Sequence, residues 1–334
     1  MISLKRISWI LSLFIVISCA DSNKSKSITI GTNPAGTFYY VVGTGLSKLF
    51  SEKLDRRAIA QPASGSAVYV PLINNGEMSL GFSTSIEAGS YYQGKMDLQK
   101  QPNLRVLMRF WAMPYGYMVR GDSDLHFVSD LIGKSVVDKQ SANITLSIGN
   151  SSMLSVSGIT NDDYKSITVG GLPQGITAVT DGLADAAPIA LGQGNVRKAN
   201  ATTPGGIRFL DMSNIENVQQ YFDNLGQGFN SYTVLEEDQL PGAGEGLLTG
   251  SVDIYLVASS TMPDEEAMSI VKVIEDNWDM LQTQFAALKR GHPSQFVGNN
   301  HTVPFHPGAI KYYLEKNRWD NDSEVKNQSL LSQY

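Results

Sequence analysis

The chain has 334 residues, 42% of them hydrophobic and 17% charged, with one cysteine, four histidines and a formal net charge of −6. A lone cysteine excludes an intramolecular disulfide framework and a cysteine metal cluster. The acidic balance, without any basic stripe, argues against a nucleic-acid partner, which needs clustered Lys and Arg to displace counterions from phosphates.

The first predicted element is a leader. Lys5 and Arg6 precede a mostly apolar run, Ile7 to Ser18, which would span roughly 18 Å as a helix at 1.5 Å per residue, short of the ~30 Å hydrocarbon core of a bilayer. A charged start, a short apolar middle and a small residue before the break are the parts of a secretory signal. Cys19 directly follows Ser18 and opens a run rich in Ser, Asn and Lys. Residues 1–18 are therefore expected to be a signal peptide and 19–27 a polar tether that buries nothing. Loss of Lys5 and Arg6 with the leader takes the net charge from −6 to −8. The remaining chain has no second apolar run long enough to span a bilayer, and its length favours two domains.

Strands are predicted at SITIGT (27–32), AIAQPA (58–63), SLGFST (79–84), LRVLMRF (104–110) and GYMVRG (116–121). Helices fall between them at TFYYVVGTGLSKLFSEKL (37–54), SAVYVPLINNGE (66–77) and SIEAGSYYQG (85–94). The alternation resumes with KSVVDK (134–139), the helical NITLSIGNSSMLSVSGI (143–159), YKSITVGG (164–171), GITAVTDGL (175–183), ADAAPIALG (184–192), QGNVRKANA (193–201) and GIRFLDMS (206–213). Strand and helix repeated this way mean βαβ units and largely parallel sheets, an α/β fold. SVDIYLVASS (251–260) then leads to a long helix with Thr261 as cap, Pro263, Asp264 and Glu265 in its first turn, and apolar positions out to Leu281. PGAIKYYLEKN (307–317) reads as a final helix. Two crossings, near 115–121 and 251–258, predict a two-strand hinge with a ligand cleft between domains: 28–118 with 256–334 as the first, 119–255 as the second.

Chemistry belongs where strands end and helices begin. Three junctions of the first domain are rich in small and hydroxyl residues: GTNPAGTFYY with Asn33, Gly36, Thr37, Phe38 and Tyr39, PASGSAVY with Ser64, Gly65 and Ser66, and GFSTSIEA with Ser83, Thr84 and Ser85. Each offers backbone N–H groups, hydroxyls and the positive end of a helix to an anion. The matching junctions of the second domain hold Asn143 and Thr145, and Gln193. Near the hinge, Tyr115 is the ring placed to cover a solute, and Arg109, in competition with Arg105, is the candidate partner for a carboxylate.

Enzyme chemistry is poorly supplied. No Gly-x-Ser-x-Gly occurs, GTNPAGTF carries Thr37 where a P-loop needs lysine, and His126, His292, His301 and His306 include no His-x-x-x-His, so no metal site is expected. A secreted hydrolase using Ser66 or Ser85 is the alternative of a different class.

Two resemblances follow. Val16-Ile17-Ser18-Cys19 looks like the lipobox of bacterial lipoproteins, which implies lipid on Cys19 and a membrane anchor; an ordinary signal peptide containing a cysteine is the alternative. ITIGTNPAGTFYYVVGTGLSKLF followed by PASGSAVYVPLINNGEMSLGFSTS, and later DLIGKSVVD, VTDGLADAA and VPFHPGAIKYYLEK, resembles in order and spacing the TAXI-type solute receptors of tripartite ATP-independent periplasmic (TRAP) transporters. The resemblance implies a two-lobed, periplasmic-binding-protein-like fold; no cofactor and no catalysis are expected. It further implies a small acidic solute, an amino acid such as glutamate or a keto or dicarboxylic acid, delivered to TRAP membrane subunits. A receptor feeding a signalling partner is the alternative within that fold. The chain departs from the family at Ala142-Asn143-Ile144-Thr145, where a Gly-Ser-Gly-Thr-like turn is usual, so this loop is expected to bind differently.

Overall fold

The computed structural model describes residues 27–225, 228–298 and 300–333. The leader and Cys19 lie outside them. β1 (Ile28–Thr32) passes into α1 (Phe38–Lys53), which buries Tyr39, Val42, Leu46, Leu49 and Phe50 along one face. β2 (Ala58–Pro62), α2 (Ser66–Asn74), β3 (Leu80–Thr84) and α3 (Ser85–Gln93) complete the unit. β1 pairs in parallel with β2 on one side and β3 on the other. The loops after β1 and β3 therefore open at one edge of the sheet.

β4 (Leu104–Arg120) is a single strand of 17 residues, where two were expected on either side of Pro114. Proline lacks only the N–H; its carbonyl still accepts from Leu191 N at 3.0 Å, and the residue stays in register with Ser251. The chain continues as β5 (Ser135–Gln140), α4 (Leu146–Val156), β6 (Lys165–Val169), α5 (Leu172–Thr180), β7 (Ala187–Ala190), α6 (Gly194–Thr202), β8 (Ile207–Phe209), α7 (Val218–Leu225) and β9 (Phe229–Thr233). β10 (Leu248–Ser259) returns along β4, from Gly250 opposite Tyr115 to Ser259 opposite Leu104.

These two long strands tie the lobes into one eight-stranded sheet, order β2-β1-β3-β10-β4-β7, with β8 on β4 and β9 on β10. Pairing is parallel within β1–β3 and between β5 and β6, as the βαβ pattern requires. It is antiparallel along β4 and β10, because one strand leaves the first lobe and the other comes back. One apolar core surrounds Phe82, Trp111 and Leu256, and a second gathers Met118, Val137, Val179, Ile189 and Phe209 beyond the crossing.

The carboxyl-terminal helices α8 (Asp264–Asp276), α9 (Trp278–Gln284), α10 (Pro307–Glu315) and α11 (Asn321–Leu331) close the chain. The single long helix expected from 261 to 281 is two, broken at Asn277, whose φ of −117° and ψ of 17° leave the helical range. Thr261 is not its cap: the helix begins after Pro263, and the Thr261 hydroxyl donates to Ser259 Oγ at 3.0 Å. Helices α7 and α11 and strand β9 were not anticipated.

Candidate functional site

The loop after β1, the start of α3, the middle of β4, the turn after β5 and the start of α6 converge on a cavity between the lobes. Its volume is about 30 Å³, room for about two water molecules. Eight residues expected from the sequence line it: Asn33, Thr37, Phe38, Tyr39, Thr84, Tyr115, Asn143 and Gln193. Thr37 caps α1, donating to Pro34 O at 2.8 Å and accepting from Tyr40 N at 3.4 Å. Gln193 is buried at the N-terminus of α6, its amide 3.4 Å from Ala190 O. Tyr115 sets its ring edge-on to Phe229 and donates its hydroxyl to Asn150 Oδ1 at 2.9 Å.

Glu87, not anticipated, is the hub of this cavity and is 1% exposed. Its Oε1 accepts from Ser66 Oγ at 2.8 Å and from Asn143 Nδ2 at 3.4 Å, and its Oε2 from Thr84 N at 3.3 Å and Thr84 Oγ1 at 3.2 Å. Asn143 comes from the second lobe, so this carboxylate joins the two. The signal was present in the sequence: Thr84-Ser85-Ile86-Glu87 is a capping box, and α3 forms one there. Burial, and then the charge of Glu87, push the Tyr39 and Tyr115 hydroxyls well above their ordinary range. No basic residue is among those lining the cavity. The buried acceptors without a hydrogen-bond partner among the described residues include Asn33 Oδ1, which lines the cavity with Glu87, and Thr145 Oγ1, which does not line it.

The start of α2 and the turn after β5 approach each other closely. A Cβ on Gly65 would lie 2.1 Å from Ala142 O, so a side chain there would force the lobes apart. The Ala142-Asn143-Ile144-Thr145 departure is accommodated without strain. Ile144 takes φ −56° and ψ −34° after the 3₁₀ turn Ser141–Asn143, a helical geometry open to a β-branched residue.

The remaining candidates are placed elsewhere. Ser64 is exposed, and Gly36, at φ +88°, lines a larger outer cavity. Ser83 is fully buried with its hydroxyl on Thr84 O, and Ser85 donates to Gly228 O and accepts from Asp253 N. Neither they nor Gly65, Ser66 and Thr145 line the inner cavity. Arg109 already has a protein partner: its Nε lies 2.7 Å from Asp253 Oδ1, and it lines the outer cavity, not the inner one. The partner sits on β10, beside Arg109 only once the hinge strands pair. Arg105 is held by Pro102 O and Leu104 O, both at 2.8 Å. The serine-nucleophile alternative finds Ser66 bonded to Glu87 and Ser85 to backbone, not to a histidine.

The outer cavity is larger, about 740 Å³, and shares Thr37 and Phe38 with the inner one. Size alone would favour it. The inner cavity is the candidate solute site because it is there that buried polar groups of both lobes converge, with Asn33 Oδ1 left unpaired among the described residues.

The sequence profile of the NMT1-like family matches residues 30–316. The chain belongs to the NMT1-like family. No curated protein matches it. Among solved structures, this NMT1-like chain is similar to PhnD1 from Prochlorococcus marinus in complex with methylphosphonate, at 14% identity and TM-score 0.51 over 88% of this chain and 99% of that one. It is also similar to XAC2383 from Xanthomonas citri bound to ATP, at 11% identity and TM-score 0.50 over 92% and 99%. Such likeness establishes the fold, the two-lobed α/β architecture of periplasmic binding proteins.

Proposed function

We propose that this NMT1-like chain is an extracytoplasmic solute receptor that captures an amino acid such as glutamate between its lobes and performs no chemistry on it. In this reading residues 28–118 with 256–334 form the first lobe and 119–255 the second, and delivery is to the membrane subunits of a TRAP-type transporter of the TAXI class, as the sequence resemblance implies. The anchor is lipid on Cys19; labelled palmitate should enter the wild type and not Cys19→Ser, and equal labelling would end that part of the reading.

The observation that carries the ligand assignment is the charge of the inner cavity, where Glu87 is the one carboxylic side chain among the lining residues and no basic residue is among them. A dianion there would meet a buried carboxylate without any compensating cation. A zwitterion suits it better. Its ammonium would donate to Asn33 Oδ1 within the field of Glu87. Its carboxylate would take the free N–H groups at the starts of α1 and α6, with Asn143 and Gln193 beside them. Binding requires the cleft to widen and close again, since about 30 Å³ does not hold an amino acid.

Calorimetry with glutamate, glutamine, pyroglutamate, 2-oxoglutarate and succinate tests this. Glutamate or glutamine should bind at least about tenfold more tightly than 2-oxoglutarate and succinate, because the latter leave a buried acceptor unmatched, at a cost of about 1–3 kcal/mol. Glu87→Gln should narrow that gap. Equal or tighter binding of 2-oxoglutarate would overturn the assignment.

A further inference from the structure

We propose that the outer cavity is a second binding site, adjoining the inner one at Thr37 and Phe38, for a small polyanion carrying two or more negative charges. Its volume of about 740 Å³ falls in the range of small-molecule sites. Arg109, Arg197, Lys289 and Arg290 line it, against Glu237 and Asp238. Arg109 is paired to Asp253 and Arg290 to Asp238, each at 2.7 Å. Arg197 and Lys289 have no ion-pair partner among the described residues. Even with Asp253 counted, bases outnumber acids four to three around this cavity, in a chain whose net charge is −6. The excess is local and runs against the whole.

The two unpaired cations come from different places, Arg197 from α6 and Lys289 from the 3₁₀ turn Ala286–Arg290. Both are exposed, so either alone would hold an anion weakly in water. A ligand with two separated charges engages both at once within one concave wall, which a monoanion cannot. The same ligand is disfavoured in the inner cavity, which has a buried carboxylate and no base. The proposal does not depend on the identity of the inner solute.

Calorimetry at low ionic strength with citrate and with pyrophosphate distinguishes a carboxylate from a phosphate ligand. One of the two should bind with one-to-one stoichiometry and weaken as salt is raised. The double variant Arg197→Gln with Lys289→Gln should weaken it about tenfold, Glu237→Gln should tighten it, and Asn143→Ala in the inner cavity should leave it within twofold. Absence of binding by both probes, no loss in the double variant, or an equal loss in Asn143→Ala would overturn the proposal.

Discussion

Asn143→Ala removes the amide that reaches Glu87 at 3.4 Å from the opposite lobe. It should weaken glutamate binding by about 5- to 150-fold, the range for loss of one buried donor that leaves its acceptor unmatched, as read by calorimetry. Ser64→Ala, exposed and outside the cavity, should leave it within twofold. Asn150 is no neutral comparison, since it accepts from the Tyr115 hydroxyl at 2.9 Å and donates to Asp138 O at 2.8 Å. A second residue-scale expectation concerns pH. His301 is buried with Nδ1 2.7 Å from Gly298 O, and burial pushes it down to about 4 from an ordinary 6.5. The unfolded chain therefore binds a proton that the folded chain does not between these values, so stability falls as pH drops from about 6.5 to about 4, by up to about 3 kcal/mol. His301→Gln should flatten that part of the melting-temperature profile; an unchanged slope would contradict it. At this scale Thr37, Thr84 and Gln193 were legible because helix starts announce themselves in hydroxyl and amide residues. The pairing of Arg109 with Asp253 was not legible because nothing near Arg109 in sequence names Asp253, and Glu87 was missed because a capping glutamate reads as local until the fold brings Asn143 to it.

Most elements with one apolar face were legible, α7 excepted, and the mostly polar α11 was not. Helix α1 shows its buried stripe openly, whereas α11 is mostly polar and docks through Asn327, whose Oδ1 accepts from Phe305 N at 2.8 Å. Asn327→Ala should therefore destabilise the chain by about 1–3 kcal/mol by orphaning a buried N–H, measurable as a lower melting temperature; an unchanged melt would mean that α11 contributes little. Helix α7 had a weak signal in Val218 and Phe222, four residues apart and both buried. The continuity of β4 was hidden by Pro114, because a proline punctuates a sequence more strongly than it interrupts a ladder whose N–H it does not need.

At the scale of the molecule, the lobes meet through Gly65 and Ala142, and again where Arg290 Nε lies 2.7 Å from Asp238 Oδ1. Although burial pushes the Asp238 carboxyl up, the Leu235 N–H, the Tyr232 hydroxyl and Arg290 together hold it below its ordinary range. The pair is expected to act as a clasp on the closed arrangement, so Arg290→Gln should give a larger radius of gyration in X-ray scattering without ligand and weaker solute binding; an unchanged radius would count against the clasp. The two-lobed design was legible because alternating strands and helices fixed the βαβ units, and two apolar crossings fixed the hinge. Which cavity holds the solute was not, since that depends on contacts between segments far apart in sequence. A crystal structure of the mature chain grown with L-glutamate tests the central claim most directly. Glutamate is expected in the inner cavity, its ammonium toward Asn33 and Glu87 and its carboxylate at the starts of α1 and α6; glutamate confined to the outer cavity, or lying with its ends reversed, would contradict the account.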